Sequence, residues 1–237
     1  MAKPAPRKKG VSWELIGVFV LLAIFLVGGL IWATAEKPTT APAFSSESAA
    51  DVAGVGDTIP SGVTADGKPY LGYPQATVTI TEFADFQCPH CKAYTMESAS
   101  EIKKNYVANG KAKIVFMNFA VLGDESLTAA KAAVCATEQG KFWKMHDYLY
   151  ANQPAISNQG AFNQDNLLAI GEKVGLDKKK METCMNNEAT AKRVQAEKDF
   201  GVSKSVDATP SFLIGDVKVA GGDVAKIREA LDHALGN

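Results

Sequence analysis

Two cysteines stand two residues apart in the stretch FADFQCPHCKAY, residues 83 to 94, with Pro89 and His90 between Cys88 and Cys91. Thiols at that spacing suit half of a zinc site, a structural staple, or a dithiol that cycles with its own disulfide. Zinc needs two further ligands. Cys135, Cys184, His146 and His233 remain, and none forms a second Cys-x-x-Cys or a His-x3-His arrangement, so no metal is expected. A staple over so short a loop restrains little of the unfolded chain. A cysteine hydrolase built on Cys88 and a distant histidine would leave the spacing of the two cysteines unexplained. Redox cycling uses both sulfurs, and no cofactor is expected for it.

The elements around the pair support that chemistry. Residues 76 to 83, ATVTITEF, alternate and are rich in β-branched side chains, which predicts a strand. From Pro89 to about Val107, Tyr94, Ser98, Ile102 and Tyr106 step by four along one helical face, closed by Asn109-Gly110. Cys88 therefore falls at a helix N-terminus, where unpaired amides and the helix dipole favour a thiolate. Pro89 fits the first helical position, where no amide donor is needed. His90 is placed to donate to the Cys88 thiolate or favour it electrostatically. Cys91, one turn on, faces inward. An exposed, acidic thiol and a shielded partner form the asymmetry that thiol-disulfide exchange requires.

Residues 111 to 120, KAKIVFMNFA, predict a second strand, and strand-helix-strand begins an α/β unit with a parallel pair. The next stretch, to about Phe200, is helical in composition, with breaks at Gly140, at NQPAISNQG and from Gly171 to Asp177. Phe142, Met145 and Leu149 lie at helical spacing as core residues, and His146 beside them reads as structural. The lysines at 178 to 180 read as a solvated face. SFLIGDVKVAGG restores the strand pattern with a Gly215-Asp216 turn, and a last helix carries Val224, Ile227, Leu231 and Leu235 on one face. The expected fold class is α/β, with a helical domain inserted into a small sheet.

The N-terminal region points to location. Lys3, Arg7, Lys8 and Lys9 precede an uncharged run from Leu15 to Ala35, long enough at about 31 Å to cross a bilayer as a helix. The flanking positive charge places residues 1–14 in the cytoplasm and everything after the run outside. Signal cleavage near Ala35, after Ala33-Thr34-Ala35, is the competing reading, and it also exports the remainder. Residues 36–67 are rich in Ala, Ser, Thr, Pro and Gly and are expected to form a flexible linker. Gly62-x4-Gly67-Lys68 nearly spells a phosphate-binding loop, but Pro69 stands where a magnesium-binding hydroxyl belongs. A formal charge of -1 with scattered basic residues excludes a nucleic-acid role.

TITEFADFQCPHCKAY, the helical stretch and VDATPSFLIG together resemble the DsbA-type thiol:disulfide oxidoreductases of the thioredoxin superfamily. The resemblance covers residues 68–237, with the helical insertion at about 124–200. It implies a thioredoxin-like fold and an enzyme that introduces disulfides into exported proteins, with Cys88 as nucleophile and Cys91 as resolving thiol. It further implies a cis Thr209-Pro210 bond that presents substrate-binding backbone, and a Glu82 buried behind the cysteines as a proton acceptor. A structural disulfide between Cys135 and Cys184 follows from the same resemblance. Asp85 is expected as an exposed loop acid. The implied partners are reduced exported proteins and a membrane re-oxidant of the DsbB or vitamin K epoxide reductase type. A reductase or isomerase of the same fold, and a redox-inert chaperone or metal carrier, are the alternatives. Between the linker and Ala76 no separate dimerisation domain is visible, which argues against an isomerase.

Overall fold

The computed structural model describes residues 58–236. The expected membrane helix at 15–35, the segment before it and most of the linker lie outside the described residues. Among those described, no helix is long and apolar enough to cross a membrane.

Six strands form one sheet in the order β1-β2-β4-β3-β5-β6: β1 (Ser61–Val63), β2 (Pro69–Leu71), β3 (Val78–Ala84), β4 (Ala112–Asn118), β5 (Ser211–Ile214) and β6 (Val217–Ala220). The expected parallel pair is β3 with β4, in register from Val78 opposite Ala112 to Ala84 opposite Asn118. The other pairings are antiparallel. Gly215, at φ 59, takes the first position of the two-residue turn between β5 and β6, a conformation that costs glycine little.

One boundary differs from expectation. β1 lies inside the stretch assigned to the linker, and β2 carries the sheet into it by pairing Tyr70 with Val115 of β4. Three-residue strands carry too little periodicity to show in sequence. Their stability comes from the ladder and from Leu71, which is buried. The near phosphate loop closes this hairpin instead: Lys68 pairs with buried Glu197 at 3.5 Å, and the Gly67 carbonyl accepts from Arg193.

Helix α1 runs over residues 89–107, with wider π turns at Tyr94–Ser98 and Lys103–Val107. Each four-residue step overshoots an α-helical turn by about 40°. Wider turns absorb that drift, so Tyr94, Ile102 and Tyr106 all stay buried against the sheet. With α7 (Val224–Ala234), α1 covers the face bearing Val78, Ile80, Ile114 and Phe212.

Between β4 and β5 lie α2 (Asp124–Glu138), α3 (Phe142–Ala151), α4 (Gln164–Lys173), α5 (Lys178–Met185) and α6 (Glu188–Ser203). Phe142, Met145 and Leu149 are buried, and the core of this insertion continues without a break onto Ala84, Phe86, Cys88, Cys91 and Phe116. The insertion is thus packed against the cysteine pair. Cys135 of α2 and Cys184 of α5 are joined by a disulfide across 49 residues of chain. By the chain-entropy argument, such a loop contributes about 4 kcal/mol. In a chain also carrying C88S and C91S, reductant should lower the melting temperature while Cys135 and Cys184 are present and leave it unmoved once both are alanine. An unmoved melting temperature in both chains would mean two free thiols.

Candidate active site

β3 ends at Ala84, and the next four residues turn the chain into α1 with every carbonyl satisfied. Tyr150 donates to the Asp85 carbonyl at 3.4 Å, and Gln153 donates to those of Phe86 and Cys88 at 2.8 and 3.0 Å. Ser157 donates to the Gln87 carbonyl at 3.4 Å. These donors come from the end of α3 and the loop after it, so the insertion fixes the turn that presents the cysteines.

Asp85 corrects its expectation. It is 1% exposed, not an exposed loop acid. One oxygen accepts from the Gln87 amide at 2.8 Å and the Ser126 hydroxyl at 2.7 Å, and the other accepts from the amides of Val121 and Leu122 at 2.8 and 3.1 Å. A carboxylate meeting four donors repays its burial. The donors lie some 36 residues or more downstream, apart from Gln87, so local sequence could not reveal them. Gln87 was not singled out by sequence either. Its side chain bonds Ser126 and both the amide and the side chain of Asn158, locking the residue before Cys88 to the loop over it.

Cys88 is the N-cap of α1, with no side-chain cap, and Pro89 occupies the first turn. Sequence expected an exposed thiol, whereas Cys88 is 4% exposed. The reason is tertiary: the Thr209 carbonyl accepts from Cys88 Sγ at 3.3 Å, and the core of the helical insertion packs on the same residue. The Thr209-Pro210 bond is cis. Cys91 is fully buried. The Cys88 thiol is held down to about 5, first by the hydrogen bond from Cys91, against burial, and then by the Thr209 side chain and the amides of Cys91 and His90. Burial and the neighbouring Cys88 drive the Cys91 thiol far up. The part played by His90 is that of its backbone amide. Its imidazole is exposed and, among the described residues, takes no hydrogen bond or ion pair.

Glu82 sits six residues before Cys88 on the buried face of β3, between Ile80 and Ala84, and is 4% exposed. Its Oε1 has no hydrogen-bond partner. Burial pushes its carboxyl up to about 7, with Lys103 opposing and Asp147 adding to the rise. No group of three or more potential metal ligands gathers among the described residues.

A low-affinity-for-proton thiol at a helix N-terminus, a buried partner thiol and a cis-proline loop across from them define a thiol:disulfide oxidoreductase of thioredoxin fold. The thioredoxin family model matches residues 64–233. Disulfide bond formation protein D of Bacillus subtilis is 30% identical over 175 residues, which cover 71% of this chain and 78% of that one. The crystal structure of oxidised BdbD from Bacillus subtilis superimposes with a TM-score of 0.68 at 25% identity, over 76% of this chain and 99% of that one. A thioredoxin-like oxidoreductase from Silicibacter pomeroyi gives 0.61 at 27% identity, over 72% and 93%. The chain belongs to the thioredoxin family, and within it to the DsbA-like thiol:disulfide oxidoreductases.

The raised Glu82 carboxyl makes a stability prediction. In the fold it stays protonated up to about 7, against an ordinary value of 4.5. The native state thus binds more protons than the unfolded chain in that window, and its stability falls as pH rises through it. Glu82→Gln should remove this slope. In urea melts, the variant should gain on the wild type by roughly 3 kcal/mol between pH 4 and pH 8; parallel pH profiles would contradict the assignment.

Proposed function

We propose that this protein is a membrane-anchored, extracytoplasmic oxidase that introduces disulfides into exported proteins through Cys88 and Cys91. The observation that carries the reading is the depressed Cys88 thiol beside a Cys91 thiol held protonated. In the oxidised enzyme the two sulfurs are bonded. A substrate thiolate attacks Cys88 Sγ, and Cys91 leaves as a thiolate that takes up a proton. The substrate's second thiolate then attacks its own first sulfur, and Cys88 leaves as a thiolate. The substrate loses two electrons and the two thiol protons; the enzyme gains the electrons and keeps one proton on Cys91. A leaving thiol of low affinity for protons departs fast, and a stabilised thiolate favours the reduced enzyme, so the disulfide form is an oxidant.

The other residues take roles consistent with this cycle. Pro89 starts α1 without an amide to satisfy, and the His90 amide helps hold the thiolate. Once Cys88 has no proton, the Thr209 carbonyl loses its donor and is free to accept from the backbone of an extended substrate lying against the Thr209-Pro210 loop. Glu82 accepts the Cys91 proton when the enzyme is re-oxidised. That re-oxidation falls to a quinone-linked membrane protein of the DsbB or vitamin K epoxide reductase type, within reach if residues 15–35 hold the chain in the same bilayer.

In a glutathione buffer the 88/91 pair should have a reduction potential nearer that of DsbA, about -120 mV, than that of thioredoxin, about -270 mV. Cys88→Ala should abolish oxidation of a reduced substrate. A thioredoxin-like potential would assign the opposite direction. For the anchor, the full chain expressed in bacteria should stay with the membrane fraction after alkaline carbonate washing; a soluble product beginning after Ala35 would establish cleavage instead.

A further inference from the structure

Among the described residues three buried side-chain polar atoms have no hydrogen-bond partner: Asn118 Oδ1, Glu82 Oε1 and His146 Nε2, and the last two belong to titratable groups. Glu82 and His146 share a neighbour, Phe116. Glu82 is the register neighbour of Phe116 across the parallel pair, and the His146 ring stands edge-on to Phe116 with centroids 5.4 Å apart. His146 is 2% exposed and packs also on Phe86, Phe142, Trp143 and Tyr150. A purely structural histidine in such an aromatic box would be expected to use both nitrogens or give way to an apolar residue, because an unmet buried polar atom costs about 1–3 kcal/mol. His146 uses one: Nδ1 meets Asp147 Oδ1 at 2.7 Å. Asp147 in turn is 21% exposed at its side chain and reaches water.

We propose that His146 and Asp147 form the outer half of a proton path, in which the Cys91 proton passes through Glu82 to His146 Nε2 and reaches water from Asp147. The inference rests on the reading of Glu82 as proton acceptor. The charged and polar groups that act on His146 are Lys103 from α1 and Asp147 and Tyr150 from its own helix, and Glu82 of β3 is linked to it through their common neighbour Phe116. Burial lowers the affinity of His146 for a second proton, with Asp147 opposing and Lys103 adding to the fall. Neutral imidazole with its proton on Nδ1 therefore donates to the Asp147 carboxylate and offers the Nε2 lone pair inward.

The steps balance. On re-oxidation Cys91 Sγ gives its proton to Glu82, Glu82 gives it to Nε2, and the Nδ1 proton moves to Asp147 and on to water. Imidazole is left as the other tautomer. On reduction of the enzyme the Cys91 thiolate needs one proton, and the same path runs inward and restores the first tautomer. One proton out and one in per cycle needs no ring flip. Glu82 alone would have to exchange its proton with bulk water from a site that is 4% exposed.

The test follows the reduced full-length protein reacting with an aromatic disulfide reagent such as DTNB. A first phase reports attack by Cys88, and a second reports attack by Cys91 on the mixed disulfide, which requires Cys91 to lose its proton. In His146→Phe and His146→Gln the ratio of second-phase to first-phase rate should fall at least about tenfold between pH 6 and 8, with a smaller fall in Asp147→Asn. A ratio at the wild-type value in both His146 variants would overturn the proposal, as would equal slowing of both phases alongside a lower melting temperature. Glu82→Gln separates the layers. If it slows the second phase while the His146 variants do not, the path ends at Glu82; if it leaves the second phase unchanged, the reading of Glu82 itself fails.

Discussion

Cys88 carries its charge at the first turn of α1, where the Cys91 thiol and two backbone amides meet a sulfur that burial alone would keep protonated. A thiolate 4% exposed survives there because those donors are held in place, and the rest of the structure supplies the holding. β3 and β4 set where α1 begins. The carbonyls of residues 85 to 88 are each tied to Tyr150, Gln153 or Ser157, so the turn before the helix cannot relax away from the sulfur. Asp85 performs the same service from below, drawing the Val121 and Leu122 amides and the start of α2 toward the site.

The helical insertion therefore has a chemical role beyond adding mass. It closes over the cysteine pair, and its core and that of the active-site turn are one cluster. The disulfide between Cys135 and Cys184 ties two of its helices together within that cluster, while Cys88 and Cys91 remain free thiols. Across the site, the Thr209 carbonyl accepts from Cys88 Sγ at 3.3 Å and covers the sulfur there. Beneath it, burial of Glu82 costs roughly 3 kcal/mol at neutral pH, a penalty the fold carries on the strand that leads into the cysteine pair.

Much of this was readable from residue order. The Cys-Pro-His-Cys quartet after a β-branched strand and before a four-step apolar face fixes a strand, a helix start and the inward turn of Cys91, because each rests on local periodicity. The Gly215-Asp216 hairpin is equally local. The short β1-β2 hairpin was hidden by its length, and its ion cluster with Glu197 depends on contacts more than a hundred residues apart in sequence. Asp85 was misread for the same reason: a carboxylate after a strand is exposed unless distant donors arrive, and only folding brings Val121, Leu122 and Ser126 to it.

The sequence by itself determined the redox pair, the strand-helix unit that frames it and the class of fold, since these follow from spacing and pattern along the chain. Tertiary structure alone decided how those groups behave. It buried Cys88 where exposure was expected and gave the thiolate to backbone amides and Cys91 while leaving the His90 ring in solvent. It also placed His146 with a bare nitrogen beside the ring that borders Glu82. Affinity for a proton depends on desolvation and on which donors face the atom, and both are set by residues far away in sequence.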